Sequence, residues 1–106
     1  MDGCFYGIRM SEQADVKFYG AMWCGDTRRA RAWMDKHKVA YVWIDVDKDA
    51  DGSEYVKSVN NGNRSIPTIV FPDGSLLVEP NTQKLEAHVR ATGVPLTEPA
   101  PPADAY

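Results

Sequence analysis

An α/β domain, with a four-stranded mixed sheet packed by three helices in the order β-α-β-α-β-β-α, is the fold this sequence predicts, and three observations carry it. Short apolar runs rich in β-branched and aromatic residues alternate with segments whose apolar residues recur at helical spacing. The first two runs are separated by a helix-length segment, which requires a right-handed crossover and parallel pairing, whereas only the turn Pro72-Asp73-Gly74 separates the last two, as in a hairpin. A chain of 106 residues has room for one such core and no second.

In chain order, residues 1–15 hold Gly3, Gly7 and several charges with no steady period, and read as a flexible leader. Val16 to Gly20 is the first strand, with Lys17 near a solvated end. Ala30, Trp33, Met34 and His37 then recur at i, i+3, i+4 and i+7, which predicts a helix over about residues 26–38. Tyr41 to Val46 has the composition of an inner strand covered on both faces. The polar break from Asp47 to Gly52 leads into a short helix from Ser53 to about Asn60, stopped by Asn61-Gly62. Ile66 to Phe71 and Leu76 to Val78 are the third and fourth strands. Pro80-Asn81-Thr82 carries helix-start chemistry, Leu85, His88 and Val89 form a helical face, and Gly93 closes it. Four prolines among the thirteen residues 94–106 predict an extended, disordered tail, which leaves 16–93 as the folded domain.

Composition narrows the function. A net charge of -3, with both signs scattered, offers no footprint for nucleic acid or an anionic membrane, and no long uncharged run could span a bilayer. Two cysteines, Cys4 and Cys24, are too few for a disulfide framework or a four-cysteine metal site, and the N-terminus lacks the apolar segment of a secretory signal. A cytoplasmic, monomeric domain is expected, and the triplet Asn63-Arg64-Ser65 then has no meaning as a glycosylation acceptor.

The stretch Phe18 to Thr27 carries the chemistry. An apolar strand runs into a tight turn bearing Cys24, and a helix starts at once; unpaired N–H groups and the helix dipole at that place favour a thiolate over a thiol, which makes Cys24 a candidate nucleophile. The adjacent Asp26 opposes this, and Arg28, Arg29 and Arg31 offset it if they turn back toward the loop; a solvated helix face is the competing reading for the three arginines. Trp23 and Tyr19 are candidate walls of a substrate groove, with surface exposure the alternative for Trp23 and core packing for Tyr19.

The residues YGAMWCGDT, SIPT and FPDGS, in this order and spacing, resemble a glutaredoxin of the thioredoxin-like fold, most closely the actinobacterial mycoredoxins, over roughly residues 16–92. The resemblance implies a thiol-disulfide oxidoreductase with no tightly bound cofactor, acting through Cys24 on mixed disulfides between proteins and a low-molecular-weight thiol as co-substrate. It implies a loop in which Trp23, Gly25 and Asp26 meet substrate, and a cis peptide bond before Pro67, although composition alone favours trans. The backbone of Ile66 then faces Cys24, and the start of the last helix, near Asn81 and Thr82, helps hold the small thiol. The family usually carries a second cysteine three residues after the first; here that residue is Thr27, so an intramolecular disulfide is closed off and the enzyme is expected to be monothiol. The Thr27 hydroxyl is a candidate hydrogen-bond donor to the Cys24 sulfur, an ordinary helix-start threonine being the other reading. The usual double-glycine and Cys-Ser-Asp signature of glutathione recognition is absent, which favours mycothiol over glutathione. Two further readings are an iron-sulfur carrier sharing a cluster between two subunits, against which the usual Cys-Gly-Phe-Ser loop is missing, and a non-catalytic binding module.

Two patterns are set aside. Asp47-x-Asp49-x-Asp51-Gly52 begins like a calcium loop, but its twelfth position is Ser58 where a glutamate belongs, and a strand precedes it. His37 and His88 lack ligand spacing, and Cys4 reads as a free cysteine in the leader rather than a distant resolving thiol, so no metal site is expected.

Overall fold

The computed structural model describes residues 15–98; Cys4, the rest of the leader before Asp15, and the tail beyond Glu98 lie outside them. The elements are β1 (Val16–Gly20), α1 (Gly25–Lys36), β2 (Tyr41–Asp45), α2 (Ala50–Val59), β3 (Thr68–Val70), β4 (Leu76–Val78) and α3 (Thr82–Thr92). They form one sheet in the order β2-β1-β3-β4, with β1 parallel to β2 and antiparallel to β3, and β3 antiparallel to β4. This is the expected element order and pairing.

Strand alternation sorts the side chains into two layers. Val16 and Phe18 of β1 share a face with Tyr41 and Trp43 of β2 and Ile69 of β3, and against it pack Ala30 and Met34 of α1 with Leu85 and Val89 of α3. The opposite face carries Tyr19, Ile44 and Val70 and is covered by α2 through Tyr55 and Val56, with Ala21, Val46 and Ile66 beside them. Tyr19 stacks on Tyr55 at 4.9 Å between ring centroids, and burial pushes its hydroxyl pKa up.

Three sequence expectations are corrected here. Strand β2 is an edge strand, because β3 returns on the far side of β1; α1 covers Tyr41 and Trp43, while Val42 points to the other face and is exposed. Helix α2 starts earlier, at Ala50, since Asp49 caps it by accepting from the Gly52 N–H at 2.9 Å. The docked chain also runs past Gly93. Val94 is buried, Leu96 packs on the α1/α3 layer, Thr97 N donates to the His37 carbonyl at 2.6 Å and its carbonyl lies 3.1 Å from His37 Nδ1, and Glu98 pairs with Arg90. Two apolar side chains among the prolines are enough to seat residues 94–98.

Candidate active site

Strand β1 delivers the chain into a turn closed by the Cys24 N–H on the Ala21 carbonyl at 3.0 Å. Cys24 then stands at the N-cap of α1 with extended backbone (φ -86°, ψ 121°), and its carbonyl receives the first helical bond, from Arg28 N at 3.1 Å. Its side chain makes no capping hydrogen bond. The first-turn N–H groups are thus not taken up by a capping oxygen, and the half-buried sulfur sits at the positive end of a twelve-residue helix. Gly20 permits this approach: a Cβ there would lie 2.8 Å from both Cγ2 and Oγ1 of Thr27.

Across from the sulfur stands the loop before β3. The Ile66–Pro67 peptide bond is cis, and the Ile66 carbonyl lies 4.0 Å from Cys24 Sγ, facing the sulfur at the outer limit for a thiol donor. This is the placement the resemblance implies. The loop is built on the buried Thr68 hydroxyl, which donates to the Ser65 carbonyl at 2.7 Å and accepts from Asn60 Nδ2 at 3.2 Å. Asn60 also donates to the Val56 carbonyl at 2.8 Å, so the end of α2, the loop and β3 share one hydroxyl.

The remaining expected residues divide. Glu79 N donates to the Pro67 carbonyl at 2.8 Å and so brings the chain entering α3 beside that proline. Asn81 is the N-cap of α3, its side chain accepting from Lys84 N at 2.8 Å, and Thr82 opens the helix. The Asn81 side chain is therefore engaged in its own helix. Asp26 turns to an ion pair with Arg29 on the exposed side of α1, and Gly25 begins that helix. Arg28 does turn back, donating to the Met22 carbonyl at 2.7 Å, and Arg31 lies with its guanidinium 4.1 Å from the Trp43 ring centroid and donates to the Tyr41 hydroxyl at 3.1 Å. Tyr19 belongs to the core, whereas Trp23 is 65% exposed.

Two readings stand for Thr27, a donor to the Cys24 sulfur and an ordinary helix-start threonine. It is fully buried against Gly20, and its hydroxyl has no hydrogen-bond partner among the described residues, so the bond to the Cys24 sulfur is not made. The cause is helical geometry: one turn into α1, the Thr27 side chain points into the sheet, while the sulfur stays at the helix rim toward Ile66.

Sequence reasoning gave no site role to Asp47, Asn60, Arg64 or Thr68. Asp47 accepts the Trp23 indole N–H at 2.6 Å and pairs with Arg64; the Arg64 hydrogen bond first and the Trp23 bond second hold its carboxyl below the usual carboxylate range. The acidic loop was the available signal, but partners 24 and 17 residues away leave no local pattern. Among the described residues no group of three or more His, Cys, Asp or Glu is placed to hold a metal ion, and no helix is long and apolar enough to cross a membrane.

Comparison with known proteins agrees with this geometry. The glutaredoxin family model matches residues 16–77. A Mycobacterium tuberculosis protein named as a glutaredoxin is 35% identical over 74 residues, covering 70% of this chain and 88% of its own. Mycoredoxin 1 of Corynebacterium glutamicum is 36% identical over 78 residues, covering 74% and 96%. Among solved structures, a thioredoxin-like protein superposes with a TM-score of 0.61 at 25% identity over 69% of this chain and 97% of that one. A mutated buckwheat glutaredoxin superposes at 0.53 and 14% identity over 83% and 82%, a likeness of fold. With a cysteine at an uncapped helix start facing a cis-proline loop, on a four-stranded mixed sheet, and with a family model spanning most of that sheet, this chain belongs to the glutaredoxin family of thiol-disulfide oxidoreductases.

Proposed function

We propose that the protein is a monothiol member of the family, which uses Cys24 to remove a low-molecular-weight thiol, mycothiol, from protein mixed disulfides. The observation that carries this reading is the half-buried Cys24 sulfur at an uncapped helix start, with Thr27 standing where a resolving thiol would have to be. The Cys24 thiolate attacks the small-thiol sulfur of the mixed disulfide; that S–S bond breaks, the protein thiolate leaves and takes a proton from water, and Cys24 holds the small thiol in a new disulfide. A second small thiol, as its thiolate, attacks the small-thiol sulfur of this adduct and releases Cys24 with a symmetric small-thiol disulfide. In net, the protein sulfur of the mixed disulfide is reduced to its thiol and the incoming small thiol is oxidised to the disulfide level. The main chain at Ile66 and the Trp23, Gly25 and Asp26 loop frame the incoming disulfide, and the start of α3 near Asn81 and Thr82 helps hold the small thiol through its backbone, since the Asn81 side chain is engaged by Lys84. Mycothiol is favoured over glutathione by the missing double-glycine signature and by the likeness to a protein named mycoredoxin. We place it as a monomer in the cytoplasm, in keeping with a chain of only two cysteines, too few for a disulfide framework.

Turnover of a protein–mycothiol mixed disulfide by wild type and Cys24→Ser tests the reading; comparable rates in the two would overturn it. Mass spectrometry of the protein purified without reductant names the thiol, the expected result being a mycothiol adduct confined to Cys24.

A further inference from the structure

Three loops meet at one carboxylate. Asp47, in the turn between β2 and α2, accepts the Trp23 indole N–H through Oδ2 at 2.6 Å, and its Oδ1 pairs with Arg64. Arg64 Nε also donates to Ser53 Oγ at 3.3 Å, so α2 steadies the guanidinium from a second side. Asp47 is itself tightly placed. Its N–H donates to Asp45 Oδ1 at 2.9 Å, the Asp45 carbonyl accepts from Lys48 N and Asp49 N at 3.0 and 2.9 Å, and Val46 N reaches back to the Gly20 carbonyl at 3.0 Å. The post therefore stands at the end of β2, which is hydrogen-bonded to the end of β1 that launches the Cys24 loop.

What the post holds matters for the groove. Trp23 immediately precedes Cys24, and Arg64 stands two residues before Ile66, whose carbonyl faces the sulfur. The two side chains gathered by Asp47 thus come from the two segments that carry the sulfur and the carbonyl facing it. An indole 65% exposed has little packing to hold it, and without the Asp47 bond its ring is free to sample other rotamers. The carboxyl, held below the usual range by Arg64 and Trp23, is ionised wherever a thiolate is present.

We propose that Asp47 is a positioning residue for thiol exchange: by fixing the Trp23 ring and the Arg64 guanidinium it builds the wall on which the body of the small thiol, beyond its sulfur, is seated. The inference rests on the reading of Cys24 given above. It predicts that Asp47 governs substrate affinity and leaves the reactivity of the sulfur alone.

The test combines steady-state kinetics on a peptide–mycothiol mixed disulfide with the alkylation rate of Cys24 by iodoacetamide, a reagent too small to need the wall. For Asp47→Ala the KM is expected to rise about tenfold, the scale of a lost charge-assisted hydrogen bond, with kcat within about twofold and alkylation unchanged. Asp47→Asn keeps an acceptor for the indole but no charge for Arg64, and should fall between wild type and Asp47→Ala. In a Trp23→Phe background the Asp47→Ala effect should shrink to about a third or less of its fold-change, because part of the coupling has already gone. An unchanged KM in Asp47→Ala, a fully multiplicative effect in the Trp23→Phe background, or alkylation slowed in step with KM would each overturn the proposal while leaving the role of Cys24 intact. Absence of turnover by the wild type would overturn the reading of Cys24, and this inference with it.

Discussion

Among the described residues three helices start, and they start in two ways. Asp49 and Asn81 cap α2 and α3 with side-chain oxygens that accept from Gly52 N and Lys84 N at 2.9 and 2.8 Å. Helix α1 has Cys24 at the same position, and its side chain caps nothing. A capping oxygen is worth about 1 kcal/mol to a helix. Forgoing it at α1 leaves the first-turn N–H groups and the helix dipole available to a sulfur anion instead, so the two structural helices are secured and the chemical one is left open.

Replacing the sulfur by an oxygen should break this contrast most strongly. In Cys24→Ser, turnover of a small-thiol mixed disulfide should fall at least about a thousandfold, because a serine hydroxyl is not ionised at neutral pH, while urea unfolding should show stability equal to or up to about 1 kcal/mol above wild type, serine being a good N-cap. A loss of stability in that variant would show that the cysteine supports α1 in some other way. Crowding the start of a capped helix should act in the reverse sense. A Cβ on Gly52 would lie 2.6 Å from Ile44 Cγ2, so Gly52→Ala should cost about 1–3 kcal/mol of stability through overpacking, with kcat changed less than about twofold.

Smaller changes refine the comparison. Asp49→Ala should lower stability by about 1 kcal/mol and Asp49→Ser should restore most of it, with thiol exchange unaffected in both; a fall in kcat would mean that capping at α2 is not separable from the site. Thr27→Val removes a buried hydroxyl without a partner at constant shape, and thermal unfolding should show stability unchanged or raised by up to about 1 kcal/mol, with turnover within about twofold. A large loss of turnover would return a catalytic part to the hydroxyl. The least effect is expected from pH acting through Asp47. Its folded pKa is depressed, so its stabilisation is present above the unfolded value of about 3.9 and is lost as pH falls through the lower folded value. Melting followed from about pH 7 down to pH 3 should therefore show a constant offset between wild type and Asp47→Asn near neutral pH that shrinks as pH falls below about 4.

Legibility in the sequence followed the range of the interactions. The end of α3 was readable because Gly93 takes the left-handed conformation (φ 79°) that glycine adopts freely. Its start was readable because Asn81 caps a group three residues away. The edge position of β2 was not, since its aromatic run reads the same whether one face or both are covered, and the order of strands depends on where β3 returns. Cys24 was legible because turn, sulfur and helix start are contiguous. The direction of the Thr27 side chain, set by the packing of α1 on Gly20, and the Trp23–Asp47–Arg64 cluster were not.

By itself the sequence determined the element order, the hairpin, the caps of α3 and the single sulfur at the head of α1, because each is specified by residues within one or two helical turns of one another. Tertiary structure alone decided that the sulfur faces Ile66, that the Thr27 hydroxyl is shut away beneath Gly20, that residues 94–98 dock, and that one carboxylate gathers the Trp23 indole and the Arg64 guanidinium. Apart from Thr27 and Gly20, seven positions apart and joined by the packing of α1 on β1, those features link residues 17 to 60 positions apart, which only the closing of the sheet brings within reach of one another.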